Sequence, residues 1–319
     1  MSALSGPVPP LGRKRLPVSI PYYGRQIEGR NDVNVPDTDT GGLISFRELE
    51  YRLGRSNLSV GSRALIRGLC RLGRPAMFPG GGIGIEYAGL LKNAANPHYL
   101  RSHVQEVAHH FHAQSVHMLI APGISGYPIG SMYAAVADLP VILLRKTRID
   151  RNQAACHPTG SFVISSYTGD GDFLMSADLV AVQDMVDHVL TSQIADQSGS
   201  DPLKLSLRMA GADDIIDKAT MSQAVSESAL VIGRSAAELF ISRYQERMGG
   251  ARSIDIDVAV VAWATPLIKD YNRPRELLHR LFGIDPFAGI SVTNVQLDPP
   301  AIGVAGLGTI EFPRHECLS

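Results

Sequence analysis

Charge, cysteine and aromatic residues are all scarce in this chain. Charged residues make up 19% of its 319 positions and the formal net charge is -1. With no long basic block either, it lacks the surface that phosphate-backbone contacts need, which argues against a dedicated nucleic-acid binder. The three cysteines, Cys70, Cys156 and Cys317, are too few and too scattered for a disulfide framework or a metal knuckle. A reducing, cytoplasmic setting is the expectation. No apolar run approaches the ~20 residues that span a bilayer, so no membrane partner is expected. The N-terminus shows no apolar core of a secretory signal. Internal repeats and low-complexity tracts are missing too. An apolar content of 45% nevertheless predicts a globular chain with a large core. The length favours one large domain, or one domain with extensions, over two equal ones.

The most informative stretch runs from Val116 to Lys146. Val116 to Ile120 is short and apolar, as a buried strand is. Ala121 to Gly130 (APGISGYPIG) is a turn with three glycines and two prolines. Ser131 to Ala137 has the small and apolar residues of a helix packed close to a sheet. Pro140 stops it, and Val141 to Leu144 reads as a second buried strand ending on Arg145-Lys146. Strand, turn, helix and strand make a βαβ unit, which places working residues at the carboxyl ends of parallel strands. A glycine turn rich in backbone amides and a basic pair at those ends suit an anion, most simply a phosphate.

Around this unit the chain divides as follows. Residues 1–42, rich in Pro, Gly, Arg and Asp, read as a surface arm, with a small basic cluster at Gly12 to Arg15. Ile44 to Leu53 and Val60 to Leu72 read as amphipathic helices capped by Ser45 and Ser59. Pro79 to Gly84 is a glycine cluster that reads as an ordinary turn. Leu100 to Phe111 is a predicted helix whose His103, His109 and His110, with His112 just beyond, read as a solvated face rather than a metal site. Arg148 to Gly160 is a polar connection of the kind that serves as a loop or lid. Ser161 to Tyr167, the turn Thr168 to Asp172 and the strand from Phe173 to Met175 predict a β-hairpin projecting beyond the main sheet.

Leu179 to Asp196 repeats its apolar residues at helical spacing, with Ser176 as a candidate cap. Leu203, Leu205 and Leu207 alternate as in a strand. Asp213-Asp214 follow, and Asp217-Lys218-Ala219-Thr220 leads into a helix that runs to about Arg247. Adjacent carboxylates at a strand end, with hydroxyls at a helix N-terminus just behind, suit a sugar phosphate. The carboxylates can accept ribose hydroxyls or hold Mg²⁺-bound water, and the helix amides can take the phosphate. The same pattern also serves as a plain helix cap. Ile254 to Ala264 reads as a buried strand, Pro274 to Phe282 as a helix and Ile290 to Val295 as a last short strand. From Asp298 onward the Pro- and Gly-rich sequence reads as a terminal extension.

These stretches resemble a type I phosphoribosyltransferase, nearest to the adenine and xanthine branch. MLIAPGISGYPIGSMYAAVADLPVILLRK is similar to that branch's first strand, pyrophosphate loop and following strand. SFVISSYTGDGDFLMSADLV resembles its hairpin and hood, DDIIDKAT its phosphoribosyl-pyrophosphate motif, and FGIDPFAGISVTNV its last core strand. The likeness spans roughly Met77 to Val295. It implies an α/β fold with a central, mostly parallel sheet flanked by helices, a hood hairpin and terminal extensions. The domain would run over 43–297, with an insertion at about 177–202 and a C-terminal extension at 298–319.

The resemblance also implies an activity: a purine-like base displaces pyrophosphate from phosphoribosyl pyrophosphate. It implies Mg²⁺ at Asp213 and Asp214, and a homodimer. Lys146 and Arg145 would act on the leaving pyrophosphate, together with amides of Ser125, Gly126 and Tyr127. Asp213 and Asp214 would hold the ribose hydroxyls or metal water. Asp217, Thr220 and Ser222 would take part in holding the 5′-phosphate. The chain departs from the family where Lys218-Ala219-Thr220-Met221 replaces a glycine-containing loop, and where Ser125 replaces an Arg. Ala210-Gly211-Ala212 likewise stands where β-branched residues are usual. A second alignment would put Gln183-Asp184 at the acid pair and Asp187-His188 in the loop. Because the phosphate loop is altered, a non-catalytic relative that binds a nucleotide or phosphoribosyl pyrophosphate as a signal is the alternative reading.

Overall fold

Residues 46–77, 83–91, 96–149, 161–165, 172–196, 202–248 and 253–312 are described by the computed structural model. The first helices are α1 (Phe46–Arg55) and α2 (Val60–Leu72). A two-stranded pair, β1 (Arg74–Met77) and β2 (Ile83–Glu86), precedes the short α3 (Ala88–Leu91) and α4 (Pro97–Ala113). Then come β3 (Met118–Pro122), α5 (Gly126–Ala137), β4 (Val141–Ile149), β5 (Ser161–Ser165), β6 (Asp172–Ser176) and α6 (Leu179–Asp196). The rest is β7 (Leu203–Ala212), β8 (Ile215–Ile216), α7 (Thr220–Met248), β9 (Ile254–Lys269), α8 (Pro274–Phe282), β10 (Phe287–Leu297), β11 (Pro300–Val304) and β12 (Gly308–Glu311).

The main sheet has the order β12-β11-β10-β9-β7-β3-β4-β6-β5, with β8 alongside β9. Its centre, from β10 to β4, is parallel throughout. Both edges are antiparallel: β11 and β12 on one side, β6 and β5 on the other. The mostly parallel α/β class expected from the sequence is the observed one. Parallel strands need cover on both faces, and every residue of β3 is buried. One core packs α1, α2, α4 and α5 on the sheet, and a second packs α6, α7 and α8.

After β3 the chain steps to β4 on one side, then returns to β7 on the other side of β3. The strand order therefore reverses between β3 and β7. In open α/β sheets the crevice at the carboxyl ends of two such strands is where ligands bind.

Close packing at this centre depends on two glycines. A Cβ at Gly211 would lie 2.2 Å from Cε2 of Trp263 on β9, so the indole occupies the space of any side chain there. This is the physical reason for glycine at position 211, where a β-branched residue is usual. A Cβ at Gly130 would sit 2.6 Å from that of Ala121, which lets α5 lie directly on β3. Trp263 is fully buried, and its Nε1–H donates to Ser226 Oγ at 2.9 Å, joining β9 to α7. The Ser226 hydroxyl in turn donates to the Ser222 carbonyl at 2.8 Å. Ser226→Ala leaves the buried indole N–H without its acceptor. We expect a loss of about 1–3 kcal/mol in urea unfolding, with little change if Trp263→Phe is already present.

Several sequence expectations shift. α5 begins at Gly126, five residues before the expected Ser131, so the second half of the glycine stretch belongs to the helix. β4 does not end on Arg145-Lys146 but runs on to Ile149. It carries Arg145 and Lys146 onward, changing partner from β3 to β6 as it leaves the sheet centre. The hairpin is therefore continuous with β4. The cap of α6 is Asp178, whose Oδ1 accepts the amides of Val180 and Ala181, not Ser176. The stretch expected as an insertion contains α6, whose Val182, Val186 and Leu190 enter the second core. The stretch expected as an extension from Asp298 contains β11 and β12, which lengthen the sheet.

His103 lies on the buried face of α4, not on a solvated one. It shares that face with Leu100, Val107 and Phe111. Its Nε2 is 2.7 Å from the Tyr133 hydroxyl, and Phe287 stacks on the ring. His109 and His112 are exposed as expected. Ser59 caps α2 as expected, accepting from the Ser62 amide at 3.0 Å. Ser45, the turn of the glycine cluster, the 150–160 loop and the arm lie outside the described residues.

Candidate functional site at the sheet crevice

The turn after β3 is tied to β4 through one carbonyl. The Gly123 amide and the Tyr127 hydroxyl both donate to Leu144 O, at 2.9 and 2.5 Å. The Gly123–Ile124 peptide is cis. Ser125 is half-buried and immediately precedes α5, with no side-chain bond to the helix. Burial pushes the Tyr127 phenol up, and the nearby positive charge of Arg145 opposes that shift. Arg145 itself is exposed. Lys146 is held toward the hairpin, its ammonium 3.9 Å from the ring centre of Phe173 on β6, a cation–π distance.

On the other side of the crevice, β7 is followed directly by Asp213 and Asp214, which are 7% and 1% exposed. The Asp213 amide donates to Ala264 O at 3.2 Å, and Asp213 Oδ1 accepts the Asp214 amide at 2.8 Å. The two loops touch: a Cβ added at Gly126 would lie 3.0 Å from Asp213 Oδ1 and 3.4 Å from Ala212 O. A residue without a side chain lets the first turn of α5 approach the acidic pair this closely without a crowded contact. The Tyr87 hydroxyl, from the end of β2, donates to Asp214 Oδ2 at 3.0 Å.

Behind the acids, the loop into α7 has a left-handed residue, Ala219, at φ +59. That conformation favours glycine, the residue type missing from the sequence here, and costs an alanine roughly 1 kcal/mol. Ala219 O accepts the Gln223 amide, so α7 starts directly after it. The first amides of α7 have no partner within the helix and carry the positive end of its dipole. Thr220 is exposed at this terminus, whereas Ser222 is buried beneath the first turn. Asp217 is ion-paired to Lys269 at the end of β9, Nζ to Oδ2 2.9 Å, and bonded to Asn272. Burial, and then the charge of Asp217, raise the Tyr271 phenol beside them.

The structure thus brings Ser125, Gly126, Tyr127, Arg145, Asp213 and Asp214 to one end of the sheet, with Asp217 and Thr220 on the loop that follows the acids. Tyr87, Lys269 and Asn272 join the site without having been singled out in the sequence. Only the glycine cluster just before Tyr87 hinted at its segment. Gln183, Asp184 and Asp187 lie elsewhere, in the middle of α6, on a cleft of about 490 Å³ shared with α7. Asp187 accepts from Gln183 at 2.7 Å and from Arg243 at 3.2 Å. The second alignment of the acid pair therefore does not reach a strand end.

Among the described residues no group of three or more His, Cys, Asp or Glu could hold a metal by itself. Asp213 and Asp214 still suit Mg²⁺, which takes one or two carboxylates and completes its shell with water and phosphate oxygens. Among the described residues no helix is long and apolar enough to cross a membrane.

No protein-family model and no curated protein matches the chain. Solved structures do. An adenine phosphoribosyltransferase from Thermoanaerobacter pseudethanolicus is 12% identical, with a TM-score of 0.41, over 70% of this chain and 97% of that one. The adenine enzyme of Rhodothermus marinus gives 15% identity and 0.40 over 72% and 98%. An orotate phosphoribosyltransferase from Aeropyrum pernix gives 12% and 0.35 over 73% and 94%. These three solved structures are phosphoribosyltransferases, the family that the sequence resembles.

Proposed function

We propose that the chain is a phosphoribosyltransferase-type enzyme that joins a purine-like base to the ribose 5-phosphate of phosphoribosyl pyrophosphate, releasing pyrophosphate. The observation that carries this reading is the direct approach of the β3–α5 turn to the acidic pair at the strand-order reversal. A sugar bearing phosphates at both ends needs such a combination: one amide-rich turn, one pair of carboxylates and one helix N-terminus. Amides of Ser125, Gly126 and Tyr127, with Arg145 and Lys146, take the pyrophosphate end. Asp213 and Asp214 accept the ribose hydroxyls. The start of α7, with Thr220 at its surface and Ser222 buried beneath the first turn as support, takes the 5′-phosphate, and Asp217 shapes that loop through Lys269 and Asn272.

In the reaction the bond from the anomeric carbon to the pyrophosphate oxygen breaks as a bond to the base nitrogen forms. Positive charge grows on the ribose, beside Asp213 and Asp214, and negative charge grows on the leaving group, beside Arg145 and Lys146. Mg²⁺, held by Asp213 and Asp214 directly or through water, would add charge neutralisation to the leaving pyrophosphate. A cytoplasmic homodimer belongs to the same reading.

A non-catalytic sensor of the same ligand is the second reading, favoured by Ala219 in a conformation suited to glycine. Incubation with Mg²⁺, phosphoribosyl pyrophosphate and a panel of bases separates the two. Pyrophosphate release with one base, lowered at least about tenfold in Lys146→Ala, supports the enzyme. Saturable binding without release supports the sensor, and no binding of any phosphorylated sugar removes both.

A further inference from the structure

The cleft between α6 and α7 takes no part in the function proposed above. Four large apolar side chains stand around it, Leu179 and Val180 on α6 and Val231 and Leu239 on α7, each between 41% and 82% exposed. Apolar exposure gathered at one place, unlike single scattered residues, marks an interaction surface. The cleft is also preformed. The Gln183 side-chain amide donates to Asp187 Oδ1 at 2.7 Å and to the Ala236 carbonyl at 3.1 Å. Asp187 also pairs with Arg243, so α6 and α7 are pinned at a fixed spacing.

The pattern along α7 shows what fits there. Every fourth residue of one outer ridge is exposed: Glu227, Val231, Ser235, Leu239 and Arg243. At 1.5 Å per residue this ridge is about 24 Å long. It reads acid, apolar, small, apolar, base, and is complementary to itself when reversed. An antiparallel copy crossing at Ser235 brings Glu227 toward the second copy's Arg243, and Val231 toward the second copy's Leu239. The small serine at the crossing lets the two backbones approach. Arg234 and Glu238, exposed beside the ridge, cancel in charge. Ridges of this spacing interdigitate in the commonest class of helix packing, and a twofold interface uses the same patch on both subunits.

We infer that this ridge and the cleft beside it form the interface of a homodimer, with α7 packed antiparallel on α7 of a second copy about a twofold axis at Ser235. This interface stands whatever the chain's ligand is, and it gives a surface to the homodimer named above.

Sedimentation equilibrium of the full chain at micromolar concentrations should show a dimer. Leu239→Glu changes an exposed position and leaves the core intact. It should raise the dimer dissociation constant at least about thirtyfold, the scale of a central interface residue. Ser235→Cys, at the axis, should form a disulfide between two chains on mild oxidation, beyond any formed by wild type through its own three cysteines. Glu227→Cys should not, because its two copies lie at opposite ends of the interface. A monomeric wild type overturns the inference and leaves the proposed activity standing. A dimer that Leu239→Glu leaves intact, or one that Ser235→Cys does not cross-link, overturns it as well. Should Leu239→Glu fail to fold, the Ser235→Cys cross-link decides alone.

Discussion

Asp214→Ala is expected to lower kcat/KM for phosphoribosyl pyrophosphate at least about a hundredfold, the scale of losing one preorganised electrostatic partner of a transition state. The acid is 1% exposed and held by Tyr87, so its geometry is set before substrate arrives. Positive charge on the ribose develops in the transition state, and a fixed carboxylate next to it acts more strongly there than in the ground state. The effect should therefore appear in kcat as well as in KM. Steady-state kinetics on Asp214→Ala and Asp213→Ala, with Asp184→Ala as a control, check it. Asp184 lies on the α6–α7 cleft, and its removal should change kcat/KM less than about twofold. An Asp184 effect equal to that of Asp214 would move the acidic site to α6.

Acidification should destabilise the fold through His103. Burial holds this imidazole neutral, with its pKa lowered from 6.5 to about 3. In the unfolded chain it takes up a proton near its ordinary value, so between the two values the unfolded state binds more protons than the folded one. Stability from this group is then complete above pH 6.5 and is lost as pH falls toward 3, at up to about 1.4 kcal/mol per pH unit. The total is on the order of 4 kcal/mol at pH 3. His103→Gln, whose side-chain amide extends to about the position of Nε2 beside the Tyr133 hydroxyl and does not titrate, should be less stable at pH 7.5 yet lose less on acidification. Urea unfolding of both proteins at pH 7.5, 5.5 and 4.5 checks this, and parallel stability-against-pH curves would contradict it.

The parts of the fold legible in the sequence were those with strong local signals. α2, α6 and α8 have the expected bounds, because their apolar residues recur at helical spacing between clear stops. The α/β class followed from β3, α5 and β4. His103 was misplaced although the signal was present. It stands three residues after Leu100 and four before Val107, on the apolar stripe of α4. β11 and β12 were hidden by their punctuation. Gly306 and Gly308, at φ +76 and +96, make the turn between two short strands that the same glycines made look irregular.

The site itself was only half legible. Each loop could be read from its own residues, but their meeting depends on tertiary packing. Gly126 sits against Asp213 because β3 and β7 are neighbours across the order reversal, and the sequence does not state strand order. Tyr87 was invisible for the same reason: nothing local distinguishes it from an ordinary core tyrosine. Lys269 ends the long strand β9, five residues beyond the expected Ala264, so its pairing with Asp217 could not be foreseen.

Amide hydrogen exchange, with and without phosphoribosyl pyrophosphate and Mg²⁺, reports most directly on whether one ligand bridges the crevice. Added ligand should slow exchange together in the turn and first residues of α5, 123–128, and in the first turn of α7, 220–223, with little change in the cleft between α6 and α7. Protection at only one of these two segments, or at the cleft instead, would show that the strand ends do not form a common binding site.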